Sequence, residues 1–239
     1  MQKFEKPTYK ITEYVENNNY GKFELEPLER GFGTTLGNAL RRVMLSSMPG
    51  SAIVAVKIDG VMHEFQAVDG IVEDVTSIIL NLKSIVIKNN TEEDKVLHLH
   101  ADTEGVVTAG DIETDADVEI INKDQVIATL AKGGKLDMEL IVSNGRGYVP
   151  GNENKKYIEN NKIGYIPIDA LYSPIERISY EVDNARVGQD ANYDKLILSV
   201  YTNGSLRPEE AIALGSKILI EHLNVLLDLS DIDDMTGIM

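Results

Sequence analysis

The hydrophobic pattern begins in strand style. Tyr9, Ile11, Tyr14 and Val15, then Phe23 and Leu25, mark strands across residues 8–28, with Pro27 as their stop. A glycine-rich turn, Gly31-Phe32-Gly33, follows, and the period becomes helical: Leu36, Ala39, Leu40, Val43 and Met44 fall at i, i+3, i+4, i+7 and i+8. Thr34 or Thr35 is the expected cap of this helix, Thr34–Ser47, and Ser46-Ser47-Met48-Pro49-Gly50 ends it.

Past that stop, short elements dominate. Val54, Val56 and Ile58 alternate as a strand, and Val75, Ile78, Ile79 and Leu82 form a helical stripe before Ile85-Val86-Ile87. Further strands are expected at 96–101, 118–121, 126–130 and 136–142, the last two joined as a hairpin through Gly133-Gly134. Residues 143–163, rich in Gly, Asn and Lys, read as loop. From Ser173-Pro174 longer alternation returns with Ile178, Tyr180 and Val182, then Leu196, Leu198 and Val200. Asn203-Gly204 turns the chain, and Pro208 opens a long helix at the position where a missing N–H costs nothing. Proline-marked boundaries at 49–50 and near 174 predict one domain inserted into another.

The last helix is unusually apolar. Eight of the twelve residues Ile218–Leu229 are aliphatic, while Lys217, Glu221, Asn224 and Asp228, spaced four, three and four, share one narrow polar stripe. A surface helix ordinarily needs an apolar stripe of about 100° or a little more. Such a helix is either buried on all sides by its own chain or covered on one side by a partner. A twofold homodimer packing it with the amphipathic Thr34–Ser47 helix satisfies both.

Composition narrows the classes. The 239 residues are 43% hydrophobic and 26% charged, enough for an ordinary core and too apolar for disorder. With no cysteine, disulfides, thiolate metal sites and a cysteine nucleophile are excluded. Charges in residues 1–14 stand where a secretion signal would be apolar, and no run approaches the roughly 20 apolar residues that span a bilayer. A cytoplasmic protein without a membrane partner is expected. Lys and Arg total 23 against 39 Asp and Glu, a net charge of −16 that repels phosphate backbones. Residues 34–47 are the exception: they hold no acid and carry Arg41 and Arg42 side by side. Adjacent helical positions point about 100° apart, so both cannot face an apolar interface, and one is free to meet a partner's carboxylate or carbonyls.

Candidate chemistry is sparse. Gly33-Thr34-Thr35-Leu36-Gly37, preceded by Gly31, could cradle phosphate at a helix N-terminus. It lacks the Gly-Lys-Ser/Thr end of a Walker loop, and its last glycine interval is four where the dinucleotide fingerprint has three. Tight-turn glycines are the simpler account. His98-Leu99-His100 puts two imidazoles on one strand face, a spacing some metal sites use, but the sequence nominates no third ligand among His63, His222 and the carboxylates. Gly145-Arg146-Gly147-Tyr148 is a weak phosphate candidate, and no Ser/His/Asp set has a supporting motif. These residues read as an assembly module. The competing readings are a phosphate- or nucleotide-binding enzyme using Gly31–Gly37, and a metal hydrolase around His98 and His100.

Certain blocks are more specific. They are Leu25-Glu26-Pro27-Leu28-Glu29-Arg30-Gly31-Phe32-Gly33, Thr35-Leu36-Gly37-Asn38-Ala39-Leu40-Arg41-Arg42 and Ser46-Ser47-Met48-Pro49-Gly50. Ile58-Asp59-Gly60-Val61, Asn81-Leu82-Lys83, Gly145-Arg146-Gly147-Tyr148-Val149-Pro150 and Tyr172-Ser173-Pro174-Ile175-Glu176-Arg177-Ile178 follow, then Thr202-Asn203-Gly204 and Pro208-Glu209-Glu210-Ala211. In this order they resemble the bacterial DNA-dependent RNA polymerase α-subunit family, from near the start to about residue 229.

The resemblance implies an α+β fold: a discontinuous dimerisation domain, residues 1–49 plus 175–229, of antiparallel sheet and two helices. An inserted, mostly β domain would occupy 50–174, and 230–239 would begin an interdomain linker without fixed structure. It implies a homodimer through the two helices. Phe32, Leu36, Ala39, Leu40 and Val43 would be interface positions on the first helix, and Ile218, His222, Val225, Leu226 and Leu229 on the second. It also implies that the dimer assembles the large β and β′ subunits of a nucleotidyltransferase, docking through Arg41, Arg42 and Leu45, with Arg42 favoured over Arg41. Catalysis and its magnesium are expected on those partners, so no catalytic residue, metal or cofactor is assigned here. The family continues into a small promoter- and activator-binding domain that this chain does not reach, so direct DNA binding is not expected of it. Arg207 stands before Pro208 where an acidic cap is common in the family, implying a helix start weaker by about 1 kcal/mol.

Overall fold

The computed structural model describes residues 6–15, 19–158, 164–188 and 190–227; Leu229 and the expected linker at 230–239 lie outside them. In chain order the elements are β1 (Thr8–Val15), β2 (Tyr20–Glu29), α1 (Phe32–Ser46), β3 (Pro49–Ile58), α2 (Val75–Lys83), β4 (Ile87–Asn89) and β5 (Lys95–Ala101). Next come β6 (Gly105–Thr108), β7 (Val118–Ile120), β8 (Val126–Leu130), β9 (Leu136–Arg146), β10 (Tyr148–Val149) and α3 (Gly151–Asn154). The chain finishes with β11 (Ile166–Pro167), β12 (Ala170–Leu171), β13 (Ile175–Val187), β14 (Asp190–Thr202) and α4 (Pro208–Leu227). This is an α+β fold, and it divides into two compact units, Met1–Met48 with Pro174–Met239, and Pro49–Ser173.

The discontinuous unit is an antiparallel sheet in the order β1-β2-β14-β13. One face carries Phe23, Leu25, Ile178, Tyr180, Leu196, Leu198 and Val200, and it packs with Leu40 and Met44 of α1 and Ala211 and Ile218 of α4. Pro27 does not stop β2. The strand runs on to Glu29, and Pro27 falls at a register shift in which Leu28 pairs with Asp194 but Leu25 with Leu196. A bulge asks no ladder hydrogen bond of the extra residue, so proline is tolerated there.

α1 begins two residues before the expected Thr34, and neither Thr34 nor Thr35 caps it. Its N-terminus is closed from the far end of the chain: Asp194 Oδ2 accepts the Gly31 N–H at 2.8 Å and the Gly33 N–H at 3.1 Å. Only Gly31 serves as a turn glycine, at φ +90°. Gly33 and Gly37 sit one turn apart on the face against the sheet, which overturns the tight-turn account for both. A Cβ on Gly37 would stand 2.5 Å from Tyr180 Cδ2, and one on Gly33 2.7 Å from Val182 Cγ1. Gly215 does the same between helices, its absent Cβ leaving room for Met44 Cγ at 2.7 Å. At the start of α4 the Arg207 N–H donates to Glu210 Oε2 at 3.2 Å, which is the reciprocal half of a capping box. The guanidinium of Arg207 bonds the same carboxylate at 2.6 Å.

The inserted unit is built on the sheet β11-β3-β9-β5, with the ribbons β4-β7 and β6-β8. α2 contributes Val75, Ile78 and Leu82 to its core, and the Asp74 side chain caps it by accepting the Ser77 N–H at 2.8 Å. The expected hairpin between 126–130 and 136–142 is not formed: β8 pairs with β6, and β9 with β3 and β5. Gly133 still turns, at φ +82°, but the turn carries the chain from a ribbon into the main sheet. Gly134 backs directly onto Gly70, where a Cβ would meet the Gly70 carbonyl oxygen at 2.1 Å. Residues 143–158 are not loop either. β9 extends to Arg146, and β10 and α3 follow, because Gly145 lies flat against the buried Tyr172 ring, 2.6 Å from where its Cβ would be.

The close approach of α1 to the sheet predicts that Gly37→Val destabilises the protein by about 1–3 kcal/mol, the usual range for overpacking. Chemical denaturation should show an earlier unfolding midpoint. An unchanged midpoint would mean that Tyr180 and Leu196 yield freely.

Candidate functional site

The two helices of the discontinuous unit carry the positions nominated from sequence, and they divide by depth. On α1, Gly33, Gly37, Leu40 and Met44 face inward; Leu36, Ala39 and Val43 are half-buried; Phe32, Arg41, Arg42 and Leu45 are exposed. On α4, Ala211, Gly215 and Ile218 face inward. Leu40 and Ile218 therefore belong to the chain's own core and need no partner to cover them.

Beyond Leu219, which still packs against it, the helix leaves that core. Ile220, Leu223, Val225, Leu226 and Leu227 are 56–67% exposed, so the reading of α4 as a fully buried helix fails. His222 is also exposed, with Nδ1 2.8 Å from the Ile218 carbonyl oxygen. Exposed aliphatics this dense on one helix end mark an interaction surface. Ile220, Leu223 and Leu227 join it although they were not nominated individually; the aliphatic run itself was the signal. The exposed end of α1 is different in kind. Arg41 and Arg42 have no ion pair among the described residues, and Leu45 stands beside them, 37% exposed.

The inserted unit has exposed apolar residues that sequence reading missed. Met62, Phe65, Val72, Leu80 and Leu171 are all exposed, Phe65 by 81%. Beside Leu80 a groove of about 190 Å³ runs between α2 and residues 166–169, spanned by the Lys83–Asp169 ion pair at 2.9 Å. A single sequence does not distinguish such residues from core ones, because both are apolar and only burial separates them.

The residues of the alternative chemistries are engaged within the fold. The amides that would hold a phosphate at Gly31 and Gly33 already hold the Asp194 carboxylate, and the remaining glycines serve packing. The histidine pair lies on β5 opposite carboxylates on β9, His98 against Glu139 and His100 against Asp137, along an open pocket of about 330 Å³ that also touches Lys57 and Asp59. Each carboxylate has a partner. Asp137 bonds His100 Nδ1, and Glu139 takes the Lys57 ammonium at 2.9 Å and the Tyr165 hydroxyl. These hydrogen bonds hold Glu139 below the ordinary carboxylate range, Tyr165 first. Burial, then Glu139, pushes Tyr165 up to about 12. Among the described residues no group of three or more His, Asp or Glu side chains is placed to hold a metal ion. Arg146 ends β9 with its side chain exposed.

The hydrogen bond and negative charge of Asp137 raise His100 above the usual histidine value. A raised folded value means that the pair's stabilisation is full below the unfolded histidine pKa and is lost as pH rises through the raised one. NMR titration should find the His100 midpoint above that of a free imidazole and returning toward it in Asp137→Asn. Identical midpoints in the two proteins would contradict the pairing.

Comparison with known proteins adds the relatives. Residues 56–173 match the model of the RNA polymerase Rpb3/RpoA insert domain. The DNA-directed RNA polymerase subunit alpha of Symbiobacterium thermophilum is 55% identical over 235 residues, covering 98% of this chain and 74% of that protein. The subunits of the same name from Desulforamulus reducens and Oceanobacillus iheyensis are 56% and 54% identical over 231 residues, covering 97% of this chain and 73% of each. Among the described residues no helix is long and apolar enough to cross a membrane.

Proposed function

Because the chain belongs to the DNA-directed RNA polymerase α-subunit family, we propose that it is the non-catalytic scaffold of the enzyme, a homodimer on which β and β′ assemble. Its process is transcription, and its fold is the α+β fold already described. The finer roles rest on the surfaces.

One observation carries the dimer: the exposed aliphatic end of α4, Ile220 to Leu227. Burying one such side chain is worth about 1.5–3 kcal/mol, and association costs roughly 4–15 kcal/mol in lost freedom. Those of them that share one face of the helix, doubled by twofold symmetry, contribute a gain on the scale of that cost. Phe32, Leu36, Ala39 and Val43 extend the same interface along α1, with Val225, Leu226 and His222 on α4. Leu40 and Ile218 support it from beneath.

Arg41, Arg42 and Leu45 form the docking point for a large subunit, with Arg42 as its anchor. Their exposure and the absence of acid from α1 support this, since a desolvated guanidinium needs a partner's oxygen atoms. On the inserted unit, Met62, Phe65, Leu80 and Leu171 offer a second apolar contact to a large subunit. One copy of the dimer meets β and the other β′. Catalysis and its magnesium reside on those partners, and the chain acts in the cytoplasm. Its net charge of −16 supports a role that does not grip DNA.

Sedimentation equilibrium tests the dimer. The unmodified protein is expected at twice the chain mass, and Leu226→Asp at the mass of one folded chain, because Leu226 is 58% exposed and contributes little to its own core. A unit-mass unmodified protein would sink the dimer.

Capture of purified β tests the docking point. Truncating an anchoring interface arginine commonly costs about 2 kcal/mol, close to thirtyfold in affinity. Arg42→Ala should therefore capture β about thirtyfold less well while keeping its dimer mass and melting temperature. Undiminished capture, or loss of the dimer instead, would show that Arg42 has another role.

A further inference from the structure

We propose that Asp194 is a positioning residue for the second copy of this chain: by holding the backbone on both sides of Phe32, it presents that ring to the partner. The proposal rests on the homodimer reading above and adds to it a residue from outside both helices.

The geometry is a two-point clamp. Asp194 lies on β14 opposite Leu28, beside the register shift that ends at Leu196. It shares the helix-facing side of the strand with Leu196, Leu198 and Val200, an alternation of two residues. One oxygen, Oδ2, accepts from Gly31 and Gly33, so the amides on either side of Phe32 are fixed to a single atom. The Gly31 carbonyl is held as well, by the Thr35 N–H at 3.2 Å and the Thr35 hydroxyl at 3.1 Å.

Both flanking positions suit only glycine. Gly31 stands at φ +90°, and a Cβ on Gly33 would be 3.1 Å from the same Oδ2 and 2.7 Å from Val182. With the backbone pinned toward the sheet at Gly33, the Phe32 side chain, about 100° round the helix, is 51% exposed. α1 has no acid in its first turn and no side-chain cap of its own, so Asp194 also supplies the negative charge at the helix's positive end. A cap that served α1 alone could have come from the adjacent chain; this one ties the exposed ring to the strand that carries the core.

A double-mutant cycle on dimer dissociation tests the coupling. Asp194→Ala should weaken the dimer about tenfold, the scale of a lost helix cap. In a Phe32→Ala background the same change should weaken it less than about threefold, because the ring it positions is gone. Asp194→Asn, which keeps the volume and one acceptor, should fall between and serves as the second variant if alanine unfolds the chain. Hydrogen exchange at the Gly31 and Gly33 amides should accelerate in step. Equal weakening in both backgrounds, or exchange that does not change, would overturn the clamp while leaving the dimer standing. An unmodified chain that sediments as a monomer would instead remove the dimer itself, and this proposal with it.

Discussion

The pairing of β2 with β14 is the contact on which the discontinuous unit depends. It sets Gly21 against Val200, Phe23 against Leu198 and Leu25 against Leu196, joining segments that lie on either side of the inserted unit. α1 follows β2 and α4 follows soon after β14, so one ladder delivers both helices to one face of the sheet. The interruption costs little, because loop-closure entropy grows only with the logarithm of length. The inserted unit also closes its own ends. Pro49 pairs with Arg146, and Leu171 with Tyr148 just beyond it.

Small residues let both helices lie close on that sheet. Gly33 and Gly37 let α1 lie against the sheet, and Gly215 lets α4 lie against Met44. The core is thereby satisfied by a few inward positions, Leu40 and Met44 on α1, Ala211 and Ile218 on α4. Among the described residues, the exposed aliphatics from Ile220 to Leu227 are surplus to the fold of one chain. Natural surfaces rarely keep such a surplus unless a partner covers it.

Charge follows a similar division. A chain of net charge −16 spends many carboxylates locally. Glu139 is taken by Lys57 and Tyr165, Asp169 by Lys83, and Asp115 and Asp117 by Lys95. Asp194 closes a helix. These pairs stabilise strands and turns. α1 is the contrast, an acid-free helix whose arginines have no ion pair among the described residues.

Periodicity by itself determined the elements with long repeats: strands around Phe23 and Leu25, Ile178 to Val182 and Leu196 to Val200, the two helices, and the excess apolarity of α4. Period and composition are local properties, so a single chain displays them. Contacts between distant residues are not local. Nothing near residue 31 announces that Asp194 will cap α1, since the cap lies 163 positions away in a strand that reads as ordinary alternation. Gly133-Gly134 has the composition of a hairpin, yet Gly70 packed against it decides that the next strand joins another sheet. Pro27 has the composition of a stop, yet a bulge opposite Lys195 lets the strand continue. Which apolar residues stay outside, Leu226 and Phe65 among them, was likewise settled only by tertiary packing, because exposure belongs to a position in space and not to a side chain.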